Sequence, residues 1–389
     1  MSTQPWQRVA IGAGAGMFLG MGLGRFSYST MIPALIQAGD VDVVTAGYIG
    51  GANLVGFLTG AAASTVATKV LRIDRLLIGV ISAAFIALAA SALPWGTIWL
   101  GGWRAVIGVS TGCIMVLGLA ITAQAAPPEH RARAMSYIFI GVGGGILFGG
   151  TVVPACLDIS IQAAWIAVAV AGAIAGSVAI TCWRGVHCIL APAANENTAR
   201  QQTSSRAAWY AVIAASFLFS VGLVPHTIYW FDYLARDLEL GYTIAGWHWT
   251  TVGIFAILGP IIVARLANAT STAFAMTVAY LILAAGLAAP WVSQTMVALV
   301  TSTIIFGAQP AVSTLLGARA RDLGSADQMP GMMRTIILSN GIGSAMAGLA
   351  VPKLLDTTGS YELLFLTAGC VMGLGGLLCL PAIFHRETR

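Results

Sequence analysis

Twelve stretches of this chain are apolar over the roughly 20 residues that an α-helix needs to cross a bilayer. They fall at residues 9–36, 43–67, 74–93, 97–121, 135–154, 162–183, 208–234, 243–264, 271–289, 293–316, 332–352 and 361–384. Short polar or proline-bearing turns separate them, among them Asp40 to Asp42, Pro94-Trp95, Pro127 to Arg131 and Asp322 to Pro330. In hydrocarbon each backbone N–H and C=O must be satisfied inside its own segment, which leaves helices as the solution for spans of this length. The expected fold is therefore an all-α polytopic membrane protein of twelve transmembrane helices. Charge content agrees: 8% of residues are charged, against about 25% in a soluble domain. The apolar run near the N-terminus extends well past the length of a cleavable signal, so it is read as the first span.

Basic residues set the orientation. Fifteen of the nineteen Lys and Arg fall in segments on the side of the N-terminus, Arg236 and Lys353 fall on the other side, and Arg25 and Arg104 fall within spans. This asymmetry predicts cytoplasmic termini in a bacterial inner membrane. It also accounts for the net charge of +5 without nucleic-acid binding. The longest polar segment lies midway, which divides the chain into six spans at 1–184, a cytoplasmic linker at 185–207 and six spans at 208–389. The halves repeat with an offset near 200. Ala46-Gly47-Tyr48 recurs as Ala245-Gly246-Trp247, and Gly141-Val142-Gly143 as Gly341-Ile342-Gly343. Val153-Pro154-x-x-Leu157-Asp158 recurs as Val351-Pro352-x-x-Leu355-Asp356. Six spans return the chain to its starting side, so the halves form a parallel repeat about an axis along the membrane normal.

Several motifs lie inside the spans. The fourth carries Arg104-x-x-x-Gly108-x-x-x-Gly112. The fifth carries Gly141-x-x-x-Gly145-Ile146-x-x-Gly149-Gly150. Both resemble motifs of the major facilitator superfamily, with Ile146 in place of the proline usual in the second. The loop between spans two and three keeps a basic cluster (Lys69, Arg72, Arg75) but not the family's spacing. Gly24-Arg25-Phe26-x-Tyr28 with Pro33, then Gly56-x-x-x-Gly60, then Val224-Pro225-His226 before Asp232-Tyr233, resemble the bacterial YbfB/YjiJ-type branch. The resemblance implies two pseudo-symmetric six-helix bundles and alternating access.

Arg25 and Arg104 both lie in the outer half of the membrane in the first six spans, with no carboxylate firmly placed in either span. An intramembrane cation is costly and usually faces a bundle interior or a watery path. Two readings stand. Either a carboxylate-bearing cargo supplies bidentate bonds, or each arginine bonds helix carbonyls and fixes structure. Arg25, Tyr28, Asn53 and Arg104 are expected to line one wall of a substrate site, and His226, Tyr229, Gln309 and Asn340 the other. Neighbouring helices are the alternative partners for Asn53, Gln309 and Asn340. Proton coupling is expected to draw on His226, since an imidazole titrates near neutral pH, and on Arg104 and Asp232. Asp232 either pairs with an arginine of the opposite half or is a solvated helix end. His248, between two tryptophans, is read as part of an interfacial aromatic belt.

The function expected is secondary transport of a small solute, an organic anion, by a monomer in the lipid bilayer. Drug or metabolite efflux by antiport is the first alternative and a non-transporting sensor the second. An enzyme is not expected, because no nucleophile–base set is visible; neither are a metal, a cofactor or a disulfide.

Overall fold

A computed structural model describes residues 5–186, 206–325 and 328–380. Most of the linker, with Cys188, and the tail carrying Arg386 and Arg389 lie outside the described residues. Twelve helices are long and apolar enough to cross a membrane. In chain order they are α1 (Pro5–Gln37), α2 (Val43–Val70), α3 (Ile73–Ala90), α4 (Thr97–Ala125), α5 (Pro128–Leu157) and α6 (Ile161–Trp183). The second six are α7 (Arg206–Asp237), α8 (Gly241–Ala269), α9 (Thr272–Val292), α10 (Met296–Leu323), α11 (Met329–Thr358) and α12 (Tyr361–Cys379). No strand occurs among the described residues.

Local chemistry sets several helix ends. The Asp42 carboxylate accepts from the Thr45 amide at 2.8 Å and starts α2. Ser160, Ser271 and Ser360 cap α6, α9 and α12 in the same way. Each satisfies an amide that the first turn leaves without a partner. At the end of α11, Gly359 adopts φ 63°, the left-handed conformation that closes a helix. Most connections are only a few residues long, so consecutive helices are antiparallel. The first and last described helix ends therefore lie on one face, here the terminal face; the turns at 38–42, 158–160 and 238–240 lie on the far face.

Small residues let the helices approach to backbone contact. A Cβ added at Gly108 or Gly112 of α4 would strike the backbone of Asn53 and Phe57 in α2, and one at Gly56 or Gly60 would strike α4 in return. In α1, Gly16, Gly20 and Gly24 face Ile114, Thr111 and Ile107 of α4. The glycine stripe of the first span is therefore a packing seam within the first six helices.

The two sixes meet mainly through α1–α7, α2–α11 and α5–α8. The repeat seen in the sequence marks equivalent points of this interface. Gly47 of α2 faces Pro352 of α11, and Gly246 of α8 faces Pro154 of α5. The named contacts concentrate toward the far face: Tyr242 with Gln37, Gly51 with Gly348, and Gly150 with Gly246. They reach mid-membrane at Gly341 with Leu58 and at Gly143 with Ile257.

Candidate functional site

α1 crosses the membrane with a π-helical stretch, Phe18–Phe26, between two α-helical parts. A π-turn shifts the hydrogen-bond register and is a common mark of functional sites. Arg104 of α4 supplies donors at the end of this stretch. Its guanidinium donates to the carbonyl of Gly24 and, at 3.4 Å, to that of Arg25. It also lies over the Tyr28 ring, 4.4 Å from the centroid. The Tyr28 hydroxyl donates to the Ala46 carbonyl at 2.9 Å, and Asn53 Nδ2 donates to the Arg104 carbonyl at 3.1 Å. Tyr28, Asn53 and Arg104 thus come together as a clamp joining α1, α2 and α4. All three are buried.

Arg25 has the opposite environment. Among the described residues its guanidinium makes no hydrogen bond and no ion pair, and its Nε is buried without a partner. The group is half-buried, with the Phe26 ring 5.7 Å away. One turn further toward the far face, the Ser29 hydroxyl donates to the Thr227 carbonyl of α7 at 2.6 Å. Residues four apart share a helix face, so Arg25 lies on the face of α1 that looks across to the second six. The backbone it sits on is held by Arg104.

On the opposite side, Tyr229 of α7 is fully buried and donates to the Val43 carbonyl of α2 at 3.1 Å. Gly47 leaves the space for its hydroxyl. Tyr229 therefore closes the interface at its far end. Gln309 sits where α10 breaks, between Met296–Gly307 and Pro310–Leu323. Pro310 has no N–H to continue the ladder. The side chains of Gln309 and Asn340 are half-buried and have no hydrogen-bond partner among the described residues. Asn340 lies on α11 away from the lipid-facing stripe of Ile342, Met346 and Leu349, all exposed.

His226 lies inside the second six. Its ring is enclosed by Trp230, Phe306 and Phe365 at centroid separations of 4.9, 5.3 and 4.4 Å. Nε2 meets the Ser302 hydroxyl at 3.3 Å, and Nδ1 has no partner. Asp232 is neither paired across the halves nor solvated. It is fully buried, bound by Arg236 four residues on at 3.0 Å and by the Tyr361 hydroxyl of α12. The sequence gives no warning of this, because Tyr361 arrives from a helix more than a hundred residues away.

His248 also differs from its expected place. It is buried, and Nδ1 meets the Thr303 hydroxyl at 2.6 Å; the same hydroxyl accepts from Trp230 Nε1 at 3.1 Å. The flanking tryptophans diverge, Trp247 being exposed and Trp249 buried, so the helix turns His248 inward. The adjacent hydroxyls Ser302-Thr303 in an apolar span were the available signal for this polar network. Arg334, counted among the basic residues on the side of the N-terminus, stands inside α11, within the span expected at 332–352.

The family described as "Uncharacterised MFS-type transporter YbfB" matches residues 17–380. Among solved structures, a POT family transporter in complex with a thioalcohol-conjugated peptide superposes with a TM-score of 0.78 at 13% identity, covering 98% of this chain and 96% of the other. A D-xylose–proton symporter gives 0.76 at 13% identity over 96% of each chain. The nucleoside transporter NupG gives 0.75 at 12% identity, covering 98% and 100%. At these identities the likeness concerns the fold.

Proposed function

The chain belongs to the family of uncharacterised YbfB-type transporters of the major facilitator superfamily, and we propose that it carries a small organic anion by alternating access, with Arg25 as the group that meets the cargo. The observation that carries this reading is the contrast between two arginines of one bundle. Arg104 gives its two terminal nitrogens to helix carbonyls, leaving its Nε without a partner, whereas the whole Arg25 guanidinium has no hydrogen bond and no ion pair among the described residues. A buried or half-buried cation without a counter-charge is costly. An anionic cargo supplies the missing bidentate acceptor when it arrives.

In this proposal Gln309 and Asn340 contribute neutral donors from the second six, while Tyr28, Asn53 and Arg104 position Arg25. The protein is a monomer of two six-helix bundles, 1–184 and 208–389. Its termini face the cytoplasm of a bacterial inner membrane, by the distribution of basic residues. Contacts concentrated toward the far face then correspond to a form closed to the outside. Of the groups expected to couple protons, Arg104 and Asp232 are engaged within their own bundles. His226, with a free Nδ1, is the proton carrier in this reading.

Proteoliposome flux tests both assignments. A panel of labelled mono- and dicarboxylates is offered with and without a pH gradient. Arg25→Gln abolishes anion flux and Arg25→Lys retains part of it. His226→Gln removes accumulation driven by the gradient but leaves exchange. Anion flux that survives Arg25→Gln at the wild-type rate sinks the cargo assignment.

A further inference from the structure

Besides Arg25, Arg334 is a half-buried arginine inside a span with no hydrogen bond or ion pair among the described residues. It stands near the terminal end of α11, half-buried, and its Nε is buried without a partner. No hydrogen bond or ion pair engages its guanidinium among the described residues. Its neighbours on the helix fix its direction. Gly341 and Gly348 follow at seven-residue steps, and residues so spaced share a face. Gly341 packs on Leu58 and Gly348 on Gly51 and Leu54, all of α2 in the opposite six. The lipid-facing stripe of Ile342, Met346 and Leu349 lies elsewhere on α11. Arg334 therefore continues the inter-bundle face beyond the Gly341–Leu58 contact, toward the terminal face.

The helix registers give its depth relative to Arg25. Gly24 packs on Ile107, Gly108 on Asn53, and Leu54 on Gly348. Arg25 is thus near the level of Gly348, and Arg334 is two heptads nearer the terminal face, about 20 Å at 1.5 Å per residue. One small cargo does not span that distance. Two unpaired cations, one from each bundle, stand at different depths along the same interface.

We infer that Arg334 is a second anion-capture site, at the mouth of the gap between the bundles, which binds the carboxylate or phosphate group of an anion on its way to or from Arg25. The inference rests on the reading of this gap as an anion path. A positive group at a mouth raises the local concentration of anions and the rate at which they enter.

A cysteine reporter tests this without knowledge of the cargo. Ile337 lies one turn from Arg334, between it and Gly341, and is half-buried. Ile337→Cys is labelled in dodecyl maltoside with sulfonatoethyl and with trimethylammonium-ethyl methanethiosulfonate, and modification at residue 337 is quantified by mass spectrometry. The anionic reagent is expected to react faster, on the order of tenfold, at about 0.1 M salt. Arg334→Gln removes the preference, Arg334→Lys restores it, and inorganic phosphate slows the anionic reagent in the parent. Arg25→Gln, beyond the Debye length of about 10 Å, leaves the ratio within about twofold. Loss of Arg25-dependent flux and loss of this ratio are thereby separate readings. The inference is overturned if the parent shows no preference, if neither reagent reaches residue 337, or if Arg334→Gln leaves the ratio unchanged. A preference that appears only after phosphatidylglycerol is added assigns Arg334 to lipid headgroups and also overturns it.

Discussion

Arg104→Met and Arg25→Met are expected to separate the two intramembrane arginines by stability. Arg104 makes one close hydrogen bond to the Gly24 carbonyl, a longer one to the Arg25 carbonyl, and a cation–π contact with Tyr28. A hydrogen bond from a charged donor contributes about 1.5–3 kcal/mol, and a desolvated cation–π contact up to about 2 kcal/mol. Removing the buried charge recovers part of its desolvation, which brings the expected net loss to about 3–5 kcal/mol. Arg25→Met removes a guanidinium with no hydrogen bond or ion pair among the described residues, so stability is expected to stay within about 1 kcal/mol of wild type or to rise. Unfolding free energies from SDS titration in mixed micelles make the comparison. The reasoning is refuted if Arg104→Met is within about 1 kcal/mol of wild type, or if the two variants are equally destabilised. Arg104→Lys is expected to fall between, since an ammonium lacks the planar fork that reaches two carbonyls and stacks on Tyr28.

Tyr229→Phe and Ser29→Ala each remove one hydrogen bond between the bundles, worth about 1 kcal/mol. Each should raise the population open at the far face about fivefold; spin labels in the loops 38–42 and 238–240 report it by distance distributions, and an unchanged distribution counts against the closure described. Asp42 supplies a pH test. Hydrogen bonds from the Thr45 hydroxyl, then from its amide, hold the carboxyl below its usual value. A lowered folded-state pKa gives stability that is present above the unfolded value of about 3.9 and is lost as pH falls through the folded one. The stability difference between wild type and Asp42→Asn should therefore be flat above about pH 5 and shrink below about pH 4; a difference that holds constant down to pH 3 removes Asp42 as the cause.

The architecture was legible because hydrophobic span length and the offset repeat are properties of the chain itself. Gly47 against Pro352 and Gly246 against Pro154 occupy the positions that the repeat had paired. The division of labour between Arg25 and Arg104 was not legible. Both are single cations in apolar, glycine-rich helices. What distinguishes them is a π-helical stretch that presents two carbonyls to α4, and a backbone acceptor has no sequence signature. Asp232 was unreadable for a related reason, since one of its partners comes from another helix. His248 was misplaced because the Trp-His-Trp run resembles an interfacial belt, while helical rotation exposes only one of the two tryptophans. Arg334 fell within the expected span 332–352 and was counted with the basic residues of the terminal side; its seven-residue spacing from Gly341 and Gly348 was present in the sequence, but the inter-bundle face that this spacing marks was not.

The closing contacts are of a kind that is cheap to exchange. Ser29 and Tyr229 donate to main-chain carbonyls of Thr227 and Val43. A helix carbonyl has two lone pairs, so losing a cross-bundle donor leaves its own helix bond intact. A helical serine or threonine hydroxyl can turn to the carbonyl four residues back, as Thr111 and Thr227 do here at 2.8 and 2.9 Å. For Ser29 that acceptor is the Arg25 carbonyl, the group that Arg104 also contacts. Separation of the bundles at the far face thus leaves the serine with a local partner. It brings that partner onto the turn that carries the unpaired cation. The same backbone would then register both the closure of the far face and the position of Arg25, which is the coupling that the proposed cycle needs.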